Sequence, residues 1–374
     1  MTGPTFAPSE FQSRVTRAQV MMNHAGLGAL LLTTEAEIRY FTGFLTRFWE
    51  SPTRPWYLVV PQSGKPIAVI PSIGAALMGK TWIDDIRTWS APAPADDGVS
   101  LLIDALRQTG GPVGVPSGHE THVRMPLADL DRIRTSLTLT GDHQIMQNLR
   151  MIKSPAEIAR IENACQIAGR AFQRVPQIAS AGTPLAQVFR GFQQLCLDEG
   201  ADWVPYLAGG AGPSGYDDVI SPANDMPLVD GDILMLDTGL VHDGYFCDFD
   251  RNWSVGPPSN TARTAYDKLI RATQAGFDAA RPGATASDLF RAMDAVVGSG
   301  DAGRLGHGLG MQLTEWPSLI ASDNTELKPG MVLTLEPGIE TMDGRIMVHE
   351  ENIVITETGA RMISPPAPKE LPRI

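Results

Sequence analysis

Two stretches of this chain lie 99 residues apart and share one pattern: GDILMLDTG from Gly231 to Gly239, and GMVLTLEPG from Gly330 to Gly338. Each is a glycine, an apolar run of strand length, a carboxylate, then a second glycine. The apolar runs predict buried strands. A carboxylate closing a buried strand is heavily penalised unless something compensates it, so finding it twice restricts the folds open to the chain. A second pair supports duplication. Gly182, Phe189 and Arg190 in AGTPLAQVFR recur 101 residues later as Gly283, Phe290 and Arg291 in PGATASDLFR. The spacing predicts a domain duplicated about a pseudo-twofold axis. Its two strands would bring Asp237 and Glu336 to one cavity, each following glycine letting the backbone turn away.

Three further residues join that pair. Asp248 stands 11 residues after Asp237, beyond the turn Asp243-Gly244 and the aromatics Tyr245 and Phe246. This arrangement predicts a hairpin whose strands aim both carboxylates at one point. His307 lies in the glycine-flanked run GHGLG, and Glu350 precedes the predicted strand Ile353–Ile355, 14 residues after Glu336. Taken singly, each has a plainer reading, such as surface acids flanking a turn. Together they make four carboxylates and one imidazole, which would raise each other's pKa values unless cations neutralise them. Two divalent ions match that charge. An oxygen-rich set with one nitrogen suits Mn2+, Fe2+, Co2+ or Mg2+ better than a thiolate zinc site. Two such ions about 3.5–4 Å apart can bridge a hydroxide at neutral pH and polarise the bond it attacks.

The rest of the chain supplies a second domain, as a length of 374 residues leads one to expect. Phe11, Val15, Ala18, Met22 and Ala25 mark one buried helix face, ended by Gly26. Strands are predicted at Ala29–Thr33, Tyr57–Val60, Ile67–Ile70 and Val113–Val115, with a helix over Leu101–Gln108, which together describe a small α/β domain. Tyr40 to Phe44, with Arg47, Phe48 and Trp49, reads as an aromatic, basic loop forming a seam between domains or subunits. Ser154-Pro155-Ala156-Glu157 is a helix start, with Ser as N-cap, Pro at the first helical position and Glu at N3. The boundary is placed just before it, giving domains 1–148 and 149–374.

Charge and composition exclude some partners. A net charge of −12 argues against nucleic acid. No apolar run reaches membrane-spanning length. Met1–Glu10 lacks the basic and apolar regions of a signal peptide. Cys165, Cys196 and Cys247 are odd in number and far apart, as reduced thiols of a cytoplasmic protein would be. Cys247, on a strand beside Asp248, is expected to face away from it and to serve packing.

The order and spacing of Asp237, Asp248, His307, Glu336 and Glu350 resemble the creatinase/prolidase/methionine-aminopeptidase family of pita-bread metallohydrolases. The resemblance covers nearly the whole chain. The N-terminal region, including YFTGF, looks like the creatinase/prolidase N-terminal domain, and Met151–Phe172 like the helix opening the catalytic domain. It implies an α/β N-terminal domain, an α+β pita-bread catalytic domain and a homodimer. It further implies that Asp237 chelates one ion, that His307 and Glu336 hold the other, and that Asp248 and Glu350 bridge them. Glu336 would handle the proton of the bridging water, and Arg47 or Trp49 would reach a neighbouring subunit's site. Register relative to Thr356 assigns Glu350 to the family's ligand glutamate and Glu351 to its usual aspartate. The ions would be Mn2+ first, with Co2+, Zn2+ or Fe2+ as alternatives.

The departures concern substrate. Family members that cleave before proline carry a histidine seven residues after the ligand histidine, where GHGLGMQLTEWP has Thr314. They carry another in a PHG-like stretch, where Val219-Ile220-Ser221-Pro222 has none. The usual Asp-x-Thr-Arg becomes Asp248-Phe249-Asp250-Arg251, which adds an acid. The first functional reading is a dinuclear Xaa-Pro peptidase-like hydrolase acting on a dipeptide or short peptide, its metal-bridged hydroxide attacking the amide. The second is a non-peptidase of the same fold, a C–N hydrolase or a dimethylsulfoniopropionate-lyase-like enzyme acting on a small metabolite, although Gly239 stands where those lyases have an extra aspartate. The third is a catalytically silent binding module.

Overall fold

The computed structural model describes residues 6–50, 55–298 and 303–374. The chain divides into two compact units after Arg150. The expectation about Met1–Glu10 falls partly outside the described residues. Among those described, no helix is long and apolar enough to cross a membrane.

The first unit is a six-stranded mixed sheet. Its strands are β1 (Ala29–Leu32), β2 (Tyr57–Pro61), β3 (Ile67–Pro71), β4 (Asp85–Trp89), β5 (Val113–Val115) and β6 (Leu139–Gly141), in the order β4-β3-β2-β1-β5-β6. β1 runs antiparallel to β2 and parallel to β5. All four residues of β1 are buried, as in a strand covered on both faces. One face packs on Leu102, Ile103 and Leu106 of the helix Val99–Thr109 and on Ile133. The opening helix runs from Pro8 to Ala25 and buries Phe11, Val15, Ala18 and Met22, ending at left-handed Gly26.

The aromatic stretch differs from expectation. Tyr40, Phe41 and Thr42 form the last turn of a helix, Glu35–Thr42, and Gly43 caps it in the left-handed region. Trp49 is buried within its own unit, its ring 5.7 Å from that of Trp56 and beneath the Arg124 guanidinium.

The second unit shows its duplication plainly. Two helices, α1 (Pro155–Gln173) and α2 (Leu185–Asp198), precede β7 (Trp203–Pro213), β8 (Asp232–His242), β9 (Tyr245–Phe246) and β10 (Phe249–Ser254). Two more, α3 (Asn260–Ala279) and α4 (Ala286–Val297), precede β11 (His307–Gly308), β12 (Glu315–Ser318), β13 (Val332–Leu335), β14 (Gly338–Glu340), β15 (Ile346–Val348), β16 (Glu351–Ile355) and β17 (Ala360–Met362). One sheet is ordered β10-β8-β7 with β9 also on β8, a second β12-β11-β13-β16-β17, and β14 pairs with β15 apart from both. Their inner strands correspond, with β8 and β13 central and every pairing antiparallel. This is the pita-bread architecture that the resemblance implies. α1 opens with the expected capping box of Ser154 and Glu157, and α4 with a matching one of Thr285 and Asp288. α3 and α4 pack on the strands through a core containing Ile233, Met235, Leu269, Leu289, Met293, Leu333 and Leu335.

Two details correct the sequence reading. β8 does not end at Asp237 but continues to His242. Gly239 is therefore an extended strand residue; a side chain there would put its Cβ 2.1 Å from Leu313 Cδ1. The glycine admits a neighbouring loop and does not turn the chain. Cys247 and Asp248 lie in the break between β9 and β10, so alternation along a strand does not set their directions. Cys247 is nonetheless fully buried, as a packing residue would be.

Candidate metal centre

Register brings the first carboxylates together. Along β8, Ile233, Met235 and Asp237 share one face. Asp250 on β10 pairs directly with Asp237 in the antiparallel ladder, so the two acids sit side by side. Asp248 lies just before β10, two residues ahead of Asp250, and its backbone is clamped by a single side chain. Its N–H donates to Asn352 Oδ1 at 3.0 Å, while Asn352 Nδ2 donates to its carbonyl oxygen. The other copy returns the gesture: Asn252 Nδ2 donates to the Val348 carbonyl at 2.8 Å. Asn252 and Asn352 stand 100 residues apart, as do Val348 and Asp248. The two copies therefore hold each other through crossed asparagines.

The second copy supplies the remaining groups. His307 begins β11, its backbone N–H donating to Thr334 Oγ1 at 3.1 Å. Its ring Nδ1 lies 2.8 Å from the Gly308 carbonyl oxygen. A carbonyl only accepts, so Nδ1 carries the proton, and in the neutral ring Nε2 presents a lone pair. That Nε2 points at Asp248 Oδ2, 3.3 Å away. Metal-binding imidazoles are commonly oriented by a bond of this kind. Glu336 follows β13 with its N–H bound to the Leu305 carbonyl at 2.9 Å. Glu350 precedes β16, and its N–H donates to Asp250 Oδ1 at 2.9 Å.

Asp248, His307 and Glu350 offer ligand atoms that all lie within 4.8 Å of one another. Asp237 and Glu336 are close enough for their charges to act on each other and on Asp248. Burial pushes the Asp237 and Glu350 carboxyls well above the usual range, and the neighbouring acids push them further. Asp248 is raised by burial and held back by His307. Glu336, only partly buried, is raised to about 7 by burial, against the pull of His307. Among the described residues, Asp237 Oδ1, Asp248 Oδ1, Asp250 Oδ2 and Glu350 Oε1 are buried oxygens with no hydrogen-bond partner. Four orphaned carboxylate oxygens are costly in a folded interior. Divalent cations, whose ligands of choice here are oxygens and one imidazole, fit that set.

A second ionic layer lies behind the first. Asp250 Oδ1 bonds His349 Nδ1 at 3.1 Å, and Arg251 Nη2 bonds Glu351 Oε2 at 3.0 Å. Burial alone would raise Glu351, but Arg251, His349 and Ser364 hold it at about 2. Glu351 is thus occupied by an arginine, whereas its neighbour Glu350 is not. Burial opposes a charge on His349, yet Asp250 and Glu351 lift it to about 8. Glu315 ties down the loop after His307, accepting from Met311 N, Gln312 N and the buried Lys153 Nζ. Thr314 is partly buried at the end of that loop, while Ile220 is 84 % exposed on a turn held by Asp218.

Sequence reasoning passed over two side chains at the centre. Tyr206 on β7 stands beside Asp237. Burial and the charges of Asp237, Asp248 and Glu350 raise its phenol far above its usual value, so it stays protonated. Arg304, three residues before His307, donates to Thr314 Oγ1 at 3.2 Å, and its charge acts on Asp248 and Glu336. Neither belongs to a spaced motif; each becomes visible only through the fold.

Comparison with known proteins accords with this geometry. The pattern of metallopeptidase family M24 matches residues 159–357, and that of the creatinase/prolidase N-terminal domain residues 14–152. A probable dipeptidase PepE of Mycobacterium tuberculosis is 30% identical over 95% of this chain and 94% of its own. A Xaa-Pro dipeptidase of Pyrococcus furiosus is 32% identical over 59% of this chain and 65% of its own. The crystal structure of dipeptidase PepE from Mycobacterium ulcerans superposes with a TM-score of 0.85 at 29% identity, covering 99% of both chains. Recombinant prolidase from Thermococcus sibiricus, at 22% identity, shares the fold with a TM-score of 0.86 over 97% of this chain and 99% of that one. With a family pattern over more than half its length and relatives aligned almost end to end, the chain belongs to metallopeptidase family M24 and is a metallohydrolase.

Proposed function

We propose that the chain is a dinuclear metal-dependent peptidase that hydrolyses the amide bond of a dipeptide or short peptide, Xaa-Pro sequences first. The observation that carries this reading is the group of buried, unpartnered oxygens on Asp237, Asp248 and Glu350 around His307, whose Nε2 faces Asp248 with its lone pair. In it Asp237, Asp248, His307, Glu336 and Glu350 hold two divalent ions, Mn2+ first and Co2+, Zn2+ or Fe2+ as alternatives. When bound, the ions supply the nucleophile and polarise the bond it attacks. The mutual proximity of Asp248, His307 and Glu350 supports the place of these three among the residues that would hold the ions.

The chain's own residues do the rest. Glu336 is the partly exposed member of the four carboxylates, so it is the one able to exchange a proton with water or a leaving amine. His307 is held in one tautomer by Gly308. Tyr206 keeps its proton beside Asp237 and fixes that carboxylate's direction. Asp250 and His349 hold the chain entering Glu350. A cytoplasmic homodimer completes the reading; three buried, unpaired cysteines support a reducing compartment.

The test is metal content after mild purification, with turnover of Xaa-Pro dipeptides in Mn2+ or Co2+. About two ions per chain and cleavage are expected. Asp248→Ala and Glu350→Ala should each lose metal and fall below about one-hundredth of wild-type turnover, with an unchanged circular-dichroism spectrum. Full activity in either variant would sink the reading. Two ions without cleavage would move the substrate to a small non-peptide amide.

A further inference from the structure

We infer that Asp250 is a sixth protein ligand of the metal centre, and that its oxygen tilts the site toward Mn2+ over Zn2+. This rests on the dinuclear reading above, in which Asp250 does no more than hold the chain entering Glu350. Its two oxygens are used unequally. Oδ1 accepts from the Glu350 N–H at 2.9 Å and lies 3.1 Å from His349 Nδ1. Oδ2 is fully buried and, among the described residues, has no hydrogen-bond partner. Holding Glu350 needs only the first oxygen, which a threonine hydroxyl would also supply. The second is a cost with no return unless a cation meets it.

The duplication points the same way. Asp250 and Glu350 stand 100 residues apart, as the two asparagines do, so Asp250 is the first copy's counterpart of a proposed ligand. Their pairings match as well. Asp250 lies opposite Asp237 in the ladder of β10 and β8, and the register Leu335↔Glu351, continued by one residue, sets Glu350 opposite Glu336. Direct partners in such a ladder share one face, their Cβ atoms about 5 Å apart. Asp237 Oδ1 is itself a buried oxygen without a partner, and one ion shared with Asp250 Oδ2 satisfies both. The charge on Asp250 also acts on Asp237, Asp248, Glu336 and Glu350 alike, which places it near all four. An added carboxylate oxygen raises the coordination number and the hardness of the donor set. Mn2+ suits six oxygen-rich ligands, whereas Zn2+ favours four, nitrogen and sulfur among them.

The experiment uses the full chain stripped by chelator, as wild type, Asp250→Asn and Asp250→Thr. In Asp250→Asn the Glu350 N–H keeps the amide oxygen at the Oδ1 position, so an N–H2 group, which cannot bind a cation, replaces Oδ2. Asp250→Thr keeps an acceptor for that N–H and removes the second oxygen. Calorimetric titration with Mn2+ and with Zn2+ reads stoichiometry and affinity, and circular dichroism checks the fold. Wild type should bind about two Mn2+ per chain. Both variants should bind one Mn2+ about 100-fold more weakly, and the ratio of Zn2+ to Mn2+ affinity should rise at least about tenfold. Unchanged Mn2+ binding would overturn the proposal. So would an equal loss of both metals, the result for an acid that only positions Glu350. If neither variant folds, Mn2+-soaked crystals of wild type decide. Manganese within about 2.4 Å of Asp250 Oδ2 is expected, and a separation beyond about 3 Å would refute the assignment. Any of these refutations, with two Mn2+ in wild type, leaves the dinuclear reading standing, whereas a wild type that binds no divalent ion refutes both.

Discussion

Removing the metal should make this protein's stability fall as pH rises from 5 to 7, and restoring it should remove most of that fall. The reason lies in Glu336. Its carboxyl is at about 7 in the folded chain against an ordinary 4.5. A group raised in this way contributes stability that is complete below 4.5 and is lost as pH rises through 7, since the unfolded chain releases its proton first. That span corresponds to roughly 3 kcal/mol, which partial exposure and screening reduce to about 2 kcal/mol. For a catalytic unit of this size the loss lowers Tm by about 4–8 °C. Asp237 and Glu350 are raised in the same direction and add to the effect. Bound ions remove it by keeping the carboxylates ionised at every pH in the window. His349 gives an internal control. It is raised from 6.5 to about 8, so its stability is present below 6.5 and lost as pH rises through 8. It is no ligand in the proposed site, so this loss should survive metal addition. The assay is thermal melting of chelator-treated protein from pH 5 to 8, with and without Mn2+. An apo Tm that stays level or rises between pH 5 and 7, or a slope that Mn2+ leaves unchanged, would refute the reasoning.

Two further outcomes follow from the loop beyond His307. Glu315→Gln should cost about 3–5 kcal/mol, because it leaves the buried Lys153 ammonium, 3.1 Å from its partner, without a counter-charge; denaturant melts would read it, and a loss under 1 kcal/mol would contradict the assignment. Gly308→Ala should cost metal affinity as well as stability, since its Cβ would lie 2.0 Å from the Trp316 carbonyl oxygen on β12. Calorimetric Mn2+ titration at wild-type affinity would disprove that coupling.

Much of the candidate centre was legible because its residues break local rules. A carboxylate ending an apolar run, as at Asp237 and Glu336, and a histidine between glycines, as at His307, are conspicuous in any linear reading. The helix entry at Ser154 to Glu157 was equally clear, since capping is a local matter. What escaped depends on distance in space. Nothing in WVPYLAGG shows that Tyr206 reaches Asp237, and nothing in AGRLG shows that Arg304 reaches Thr314. The end of β8 was misplaced for a related reason. Gly239 was read as a turn, whereas its missing side chain makes room for Leu313, which approaches from a loop more than seventy residues away. The aromatic stretch at Tyr40 was read as a loop because its helix is short, and its capping box at Thr34 and Glu37 was overlooked.

The crossed asparagines bear on how the two copies have been free to drift apart. Asn252 steadies the chain two residues before Glu350, and Asn352 steadies Asp248 itself. A change at either would damage not its own copy but the ligand of the other. Inheritance is thereby cross-linked: each repeat stands surety for its twin. Elsewhere, acids have become a different acid, as Asp237 and Glu336 have, and Arg251 and Glu351 have become opposite charges that now bind each other. At this crossing only the asparagines are the same residue in both repeats, so the one identity kept is the one on which each copy's ligand depends.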